Sequence, residues 1–192
     1  LDYYDRSLAI AEELGNKRLM GTTLSGIGHM HWNKGDLDTA LDYYERSLAI
    51  AEELGQKRGM GRSLLSIGHM HWNKGDYEKA LEYLEKSLSI QKEIGLGEGS
   101  LMLETTTYLY LTYKHLGKAY DVNEIHRLIK EAENIEFDLN YAIYQLLEDK
   151  SYLETAYHQI QEQALAMDKE LAKKFLSYPI PAAIVEEWEK VK

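Results

Sequence analysis

A 40-residue repeat dominates the first half of this 192-residue sequence. Residues 1–40 and 41–80 match at about 30 of 40 aligned positions, and a third copy begins at Leu81 before the similarity decays. A fixed period of this length is typical of solenoids, whose small helical units must stack because none can cover its own apolar face. The repeat therefore predicts a stacked array.

The units read as pairs of helices. One helix is predicted from about Lys17 to Lys34 and the next from about Leu37 to Leu54. Gly35 can adopt the left-handed conformation that ends a helix, and Asp36 can cap the helix that follows. Glycine recurs as the predicted stop signal at Gly15, Gly55 and Gly95, and the segment from Gly95 to Ser100 is predicted to link two units. Because no stretch shows the alternation of a strand, the fold class is all-α.

Composition excludes several classes of function. The sequence contains no cysteine, which excludes disulfides and thiolate catalysis and permits a reducing compartment, so we expect a cytoplasmic protein. No apolar run approaches the roughly 18 residues that span a bilayer, and no membrane association is expected. The sequence begins inside the repeat and without methionine, so we expect it to be a fragment of a longer protein.

Charge argues against nucleic acid as a partner. The formal net charge is −10, whereas a surface that binds phosphates needs clustered lysine and arginine. Residues 121–160 carry nine acidic and three basic residues. This acidic stretch is expected to be a solvated outer face; the alternative is a site for a basic partner.

The repeated residues resemble the signature of the tetratricopeptide repeat. They are Leu64, Ile67, Gly68, His71, Gly75, Asp76, Tyr77, Ala80, Leu84, Ser87 and Leu88, with Leu24, Ile27, Gly28, His31, Gly35, Asp36, Leu37, Ala40, Tyr44, Ser47 and Leu48 in the preceding copy. The 40-residue period is similar to that of kinesin light chains and prokaryotic signalling adaptors. The resemblance implies a right-handed α-solenoid of helical hairpins that acts as a protein-binding scaffold or adaptor and is not an enzyme.

This sequence departs from that signature at three kinds of position. Histidine stands at His31 and His71 where the family usually has tyrosine, and serine stands at Ser47 and Ser87 where it usually has alanine. In the third unit Tyr110 falls where glycine is expected, so we expect a splayed hairpin there.

The predicted organisation is a solenoid with a divergent helical cap at its carboxyl end. Its segments are 1–16 (second helix of an incomplete repeat), 17–56 and 57–96 (repeats), 97–135 (divergent repeat) and 136–192 (helical hairpin and capping helix). A helix is predicted from about Asp138 to Leu147. A capping box at Ser151–Glu154 then predicts one long helix toward Leu176.

The end of the chain is predicted to form a short helix after an extended turn. Pro179 and Pro181 favour the turn, and residues 182–191 then carry the apolar stripe Ile184, Val185, Trp188 and Val191. We expect this helix to cap the solenoid; the alternative is that it docks in the groove of another copy or of its own chain.

The stretch GHMHWNKGD occurs twice, at residues 28–36 and 68–76. Successive helical side chains are about 100° apart, so His29 and His31 point to different sides of the helix. His31 and His71 are predicted core residues, for which the repeated tyrosines are candidate hydrogen-bond partners. His29, Trp32 and Asn33 share the other face.

The family resemblance implies that this second face lines the partner-binding groove. The candidate groove residues are Thr22, Ser25, His29, Trp32, Asn33, Arg62, Leu65, Ser66, His69, Trp72, Asn73, Tyr108 and Lys114. Indole rings with polar neighbours suit an extended or helical peptide, although Trp32 and Trp72 packing between hairpins is the alternative.

The sequence thus predicts a scaffold that binds a protein or peptide and needs no cofactor. One alternative is a self-associating or designed array without a ligand, with end-to-end association through the helix at residues 1–14. The other is a metal held by His29 and His69, which lacks the further ligands that zinc needs.

Overall fold

The computed structural model describes residues 2–95 and 99–192, and within these ranges the regular structure is entirely helical. The helices are α1 (Asp2–Glu13), α2 (Lys17–Asn33), α3 (Leu37–Glu53), α4 (Lys57–Asn73), α5 (Tyr77–Glu93), α6 (Ser100–His115), α7 (Val122–Glu131), α8 (Phe137–Leu147), α9 (Lys150–Leu165), α10 (Lys169–Leu176) and α11 (Pro179–Val191). Residues 96–98 of the predicted Gly95–Ser100 linker lie outside the described residues. None of these helices is long and apolar enough to cross a membrane.

Glycine and aspartate set the ends of the repeat helices, as predicted. Gly35 has φ +80°, and the amide of Asp36 donates to the carbonyl of His31 over 3.0 Å, which satisfies an acceptor at the end of α2. The Asp36 carboxylate then accepts from the amide of Thr39 at 3.3 Å and caps α3. Because these bonds are local, the sequence predicts the boundaries closely.

Each hairpin is held together by a close approach of its two helices. A β-carbon at Gly28 would lie 3.0 Å from the ring of Tyr44, and one at Gly68 would lie 2.7 Å from Cγ of Leu84. Only glycine allows the partner side chain to fill this space. The α2–α3 and α4–α5 pairs form in this way, and α4 stacks in turn on α3, so the array is a solenoid.

The serines at family alanine positions have a structural role. The Ser47 hydroxyl donates to the carbonyl of Gly21 over 2.9 Å, and the Ser87 hydroxyl donates to the carbonyl of Gly61 over 2.7 Å. Both serines are buried, and a buried hydroxyl needs such a partner. These bonds join the two helices of each hairpin.

The third hairpin departs from the pattern of the first two. Its second helix, α7, has 10 residues, compared with 17 in α5. The ring of Tyr110 is buried between Tyr113 and Tyr120, at centroid distances of 5.8 and 5.3 Å, and its hydroxyl donates to Glu124. A side chain of this size prevents the close approach seen at Gly28, and α6 packs more extensively on α8 than on α7.

The prediction of one long helix from Ser151 to Leu176 is wrong. Helix α9 ends at Leu165, and Asp168 starts α10 by accepting from the amide of Leu171 over 2.9 Å. This cap competes with continuation of the preceding helix. The predicted capping box is also wrong, because the cap of α9 is Asp149, whose carboxylate accepts from the amide of Ser151 over 3.0 Å.

The final helix begins earlier than predicted. Helix α11 starts at Pro179 rather than after Pro181, because proline fits the first turn of a helix, where its missing amide hydrogen is not needed. The predicted apolar stripe packs together: Ile184 is fully buried against α9, and Val185, Trp188 and Val191 pack around the same cluster.

Candidate functional site

The second histidine of each duplicated stretch, His31 or His71, lies beside a tyrosine of the following helix and the aspartate that precedes that helix. Nδ1 of His31 lies 3.0 Å from Oδ2 of Asp36, and its ring stacks on Tyr43 at 5.7 Å. His71 likewise stacks on Tyr83 at 5.5 Å, and burial lowers its pKa. The predicted tyrosines therefore stack on these histidines rather than hydrogen-bond to them. Nδ1 of His71 lies 3.6 Å from Oδ2 of Asp76, beyond hydrogen-bonding distance. His71 is buried as predicted, whereas His31 is only half-buried.

The other face of α2, α4 and α6 carries a row of aromatic and imidazole rings, and we call it the first-helix face. Ring centroids are 5.1 Å apart for His29 and Trp32, 5.1 Å for Trp32 and His69, and 3.8 Å for His69 and Tyr108. Burial lowers the pKa of His69 to about 3, so this imidazole is neutral at physiological pH. The row joins three successive units.

Helix α8 lies against this face and covers part of it. Leu139 and Ala142 of α8 belong to the same core cluster as Leu65 and Tyr108. Of the candidate groove residues, Leu65 and Tyr108 are buried in this cluster, and His69 and Trp32 are buried in the row of rings. Separate clefts therefore remain along the first-helix face.

The first of these, the tryptophan cleft, is mainly apolar. It has a volume of about 340 Å³ and is lined by His29, Trp32, Asn33, Glu136, Phe137, Asp138, Gln163, Phe175, Tyr178, Ile180 and Pro181. Trp32 itself is 8% exposed, in a cluster with Ile67 and Met70 of the next unit. It therefore packs between hairpins and also forms one wall of the cleft.

The start of α11 closes one side of the tryptophan cleft. Ile180 packs against the cluster that contains Trp32, and a β-carbon at Gly35 would lie 3.0 Å from Cγ of Pro179. The carboxyl-terminal segment thus reaches the first repeat of its own chain, in addition to packing on α9. This corresponds to the alternative in which the segment docks on its own chain.

The second, the acidic cleft, adjoins the first at His29, Glu136 and Asp138. Its volume is about 450 Å³, and its lining includes Ser25, His29, Arg62, Leu65, Ser66, Ser100, Leu101, Glu104, Asn134, Glu136, Asp138 and Leu139. Burial raises the pKa of Glu104 to about 8; the Asp138 carboxylate adds to this effect and Arg62 opposes it. Burial also raises the pKa of Asp138, against the backbone amide of Leu139 and the charge of His29. Burial lowers the pKa of His29, and Asp138 opposes this effect.

The third cleft lies at the other end of α8. It has a volume of about 450 Å³ and is lined by Trp72, Leu111, Lys114, His115, Tyr144, Gln145 and Glu148. Lys114, a candidate groove residue, donates to the carbonyl of Gln145 over 2.9 Å and to the Glu148 carboxylate over 2.8 Å. It therefore stabilises the end of α8 and is engaged within the chain.

Two further candidate groove residues, Asn73 and Thr22, hydrogen-bond to the backbone of their own helices. The amide of Asn73 donates to the carbonyl of His69 over 2.8 Å, and the hydroxyl of the exposed Thr22 donates to the carbonyl of Arg18 over 3.1 Å. Sequence reasoning missed the walls that α8, α10 and α11 contribute, including Phe137, Asp138 and Phe175. The acidic stretch and the alternative in which the final helix docks on its own chain each pointed to part of them.

The described residues provide no suitable set of ligands for a metal ion. Across residues 2–95 and 99–192, no group of three or more histidine, cysteine, aspartate or glutamate side chains is placed to hold an ion. His29 and His69 approach the same tryptophan ring. The chemistry of the surface is therefore that of aromatic packing, hydrogen bonding and enclosed carboxylates.

Comparison with known proteins agrees with this architecture. A family model described as the tetratricopeptide repeat matches residues 1–53 and 19–93. No curated protein shows significant similarity to the sequence. The crystal structure of BtubC (BKLC) from P. vanneervenii is similar, with 17% sequence identity and a TM-score of 0.58, over 90% of this chain and 70% of that chain.

Two further structures come from Podosopora anserina, from a protein described as a kinesin light chain with nearly identical TPR-like repeats. One has 17% identity and a TM-score of 0.53, over 97% of this chain and 85% of that chain. A single-residue variant has 16% identity and a TM-score of 0.54, over 98% and 86%. At this identity the likeness establishes the fold. The family model and the repeat geometry together assign residues 1–93 of this chain to the tetratricopeptide repeat family.

Proposed function

We propose that this chain is a non-enzymatic scaffold that holds a segment of a protein partner where the first-helix face meets the carboxyl-terminal helices. Membership of the tetratricopeptide repeat family supports protein binding as the class of function. The tryptophan cleft is the observation that supports this location for the binding site, because the cleft combines apolar walls with a few polar groups, as peptide and ligand sites do.

The walls of this cleft suit an apolar side chain of a peptide. Phe137 and Phe175 meet edge to face, with centroids 6.1 Å apart, and the indole of Trp32 forms another wall. His29 and Asn33 supply polar groups that can fix the register of a bound backbone. Ile180 of the same chain packs against the cluster that contains Trp32, which supports the affinity of the tryptophan cleft for aliphatic groups.

The candidate groove residues separate into two roles in this proposal. Those that line the clefts and contact the partner are Ser25, His29, Trp32, Asn33, Arg62, Ser66 and Trp72. His69 and Tyr108 support the clefts from below, because they are buried, and the buried Leu65 also lines the acidic cleft.

Selection of peptides from a random display library against the folded chain tests this proposal. We expect selected peptides to carry a large apolar residue and to bind Phe175→Ala at least about tenfold more weakly. The lost ring contributes about 1.5–3 kcal/mol of apolar burial. Leu171→Ala is the matched control, because Leu171 lies on the same helix, is 50% exposed and lies outside the cleft. Recovery of no peptide, or equal binding by both variants, would contradict the proposal.

Self-association through α1 is a second candidate, supported by an exposed apolar face. Tyr3, Ile10 and Leu14 are 87%, 53% and 71% exposed. Their spacing places them on one side of the helix. A second copy that packs on this side would remove that apolar surface from water.

A further inference from the structure

Glu104 and Asp138 form a pair of enclosed carboxylates without a matching cation. Glu104 lies on α6 and Asp138 on the first turn of α8, and both line the acidic cleft. Protein atoms surround each carboxylate, although each keeps some surface inside the cleft. Oδ1 of Asp138 accepts from the amide of Leu139 over 2.8 Å. In the described part of the chain, no hydrogen bond or ion pair satisfies Glu104.

The cations near this pair compensate its charge only in part. Arg62 acts on Glu104 through its charge alone, without a hydrogen bond, and its side chain is exposed. His29 faces Asp138, but burial lowers the pKa of this histidine and reduces its charge. Glu136 adds a third carboxylate to the lining.

Carboxylates in this position favour a cation that enters the cleft. Burial without a partner disfavours the charged form, which explains why the pKa values of Glu104 and Asp138 are both raised. An ammonium or guanidinium group between them would restore the charged form and form charge-assisted hydrogen bonds. The volume of about 450 Å³ lies within the range of roughly 300–1,000 Å³ found for ligand sites.

The adjoining tryptophan cleft indicates where such a cation comes from. Both clefts are lined by His29, Glu136 and Asp138, so one bound segment can reach both. A peptide therefore fits the pair of clefts better than a free amine, because its backbone links an apolar anchor to a basic one. The exposed Glu133, which lies beside Ser100 and Asn134 of this cleft, adds negative charge next to it.

We propose that the acidic cleft receives a lysine or arginine side chain of the peptide whose apolar side chain occupies the tryptophan cleft. This inference rests on the proposed function and names the chemistry of its partner. Glu104 and Asp138 are the acceptors, and Ser25 and Ser66 line the approach to them. The carboxylates Glu104, Glu136 and Asp138 disfavour acidic peptides at the same place, and the charge of Arg62 acts in the opposite sense.

The peptides selected from the random library provide the test. We expect enrichment of lysine or arginine near the apolar anchor, and replacement of that basic residue by norleucine should weaken binding about tenfold or more. In a Glu104→Gln and Asp138→Asn double variant, the lysine and norleucine peptides should bind equally. Folding of the variant is checked by circular dichroism.

Matched controls separate this inference from the proposed function. A variant with Glu45→Gln and Glu78→Gln, exposed carboxylates on α3 and α5, removes the same number of carboxyl groups and should retain the preference for lysine. Peptides that bind at the tryptophan cleft without a basic residue would overturn this inference alone. Failure to recover any peptide would overturn the proposed function and this inference with it.

Discussion

Replacement of Glu104 by glutamine should change how the stability of the protein depends on pH. Burial raises the pKa of Glu104 from its ordinary 4.5 to about 8. Between these values the folded chain binds this proton more tightly than the unfolded chain, so the contribution of Glu104 to stability falls as pH rises. Glutamine has the same shape and stays neutral, so the stability of the variant does not fall at this position as pH rises.

The size of the effect follows from the pKa difference. From 4.5 to about 8 is about 3.5 pKa units, and at about 1.36 kcal/mol per unit this sets an upper limit of about 5 kcal/mol. Glu104 keeps some contact with water in the acidic cleft, which reduces the cost of its charge. We expect the free energy of unfolding of Glu104→Gln, relative to the parent, to increase by about 1–3 kcal/mol between acid and alkaline pH.

Urea unfolding followed by circular dichroism, at about pH 5 and about pH 9, measures this difference. Burial of His69, which lowers its pKa to about 3, makes the folded chain lose stability as pH falls below about 6.5. This effect is common to both proteins and cancels in the comparison. Glu45→Gln controls for the change in net charge. If Glu104→Gln gains no more stability at the higher pH than at the lower, the carboxylate is not desolvated and the reasoning is refuted.

Three other changes test the packing of the chain. Gly68→Ala should destabilise the second hairpin by about 1–3 kcal/mol, because the added carbon would lie 2.7 Å from Leu84 Cγ; unchanged urea unfolding would contradict this. Leu14→Glu should abolish concentration-dependent association in sedimentation experiments, and a parent protein that stays monomeric at every concentration would exclude that association. Ile180→Ala should lower stability by about 1–2 kcal/mol and shift the indole resonance of Trp32, whereas an unmoved resonance would show that the two do not pack together.

The repeat hairpins were predictable because local interactions determine them. A positive φ at Gly35 and a carboxylate at Asp36 act on backbone groups a few residues away, so a single sequence carries the information. The separation of His29 from His31 follows in the same way from helical geometry. Asp168 carried a comparable local signal for the start of α10, which the prediction of one longer helix did not use.

The clefts were not predictable, because residues far apart in sequence form them. Asp138 affects the pKa of His29, and Ile180 packs against the cluster that contains Trp32. Neither relation leaves a periodic pattern in the sequence. The family resemblance predicted an open groove, and the burial of Leu65 and Tyr108 under α8 depends on how the non-repeating helices fold back. The acidic stretch indicated charge without indicating what it faces.

The contact between Pro179 and the turn at Gly35 bears on how this protein can change in length. In a solenoid each unit touches only its neighbours, so an extra unit can be inserted without disturbing distant ones. Here an insertion between α3 and α4 would move Gly35 away from Pro179 and His29 away from Asp138. An addition ahead of α1 would leave both relations intact. The returning carboxyl-terminal segment therefore opposes a change of repeat number between α3 and α4. It is compatible with a change of repeat number ahead of α1.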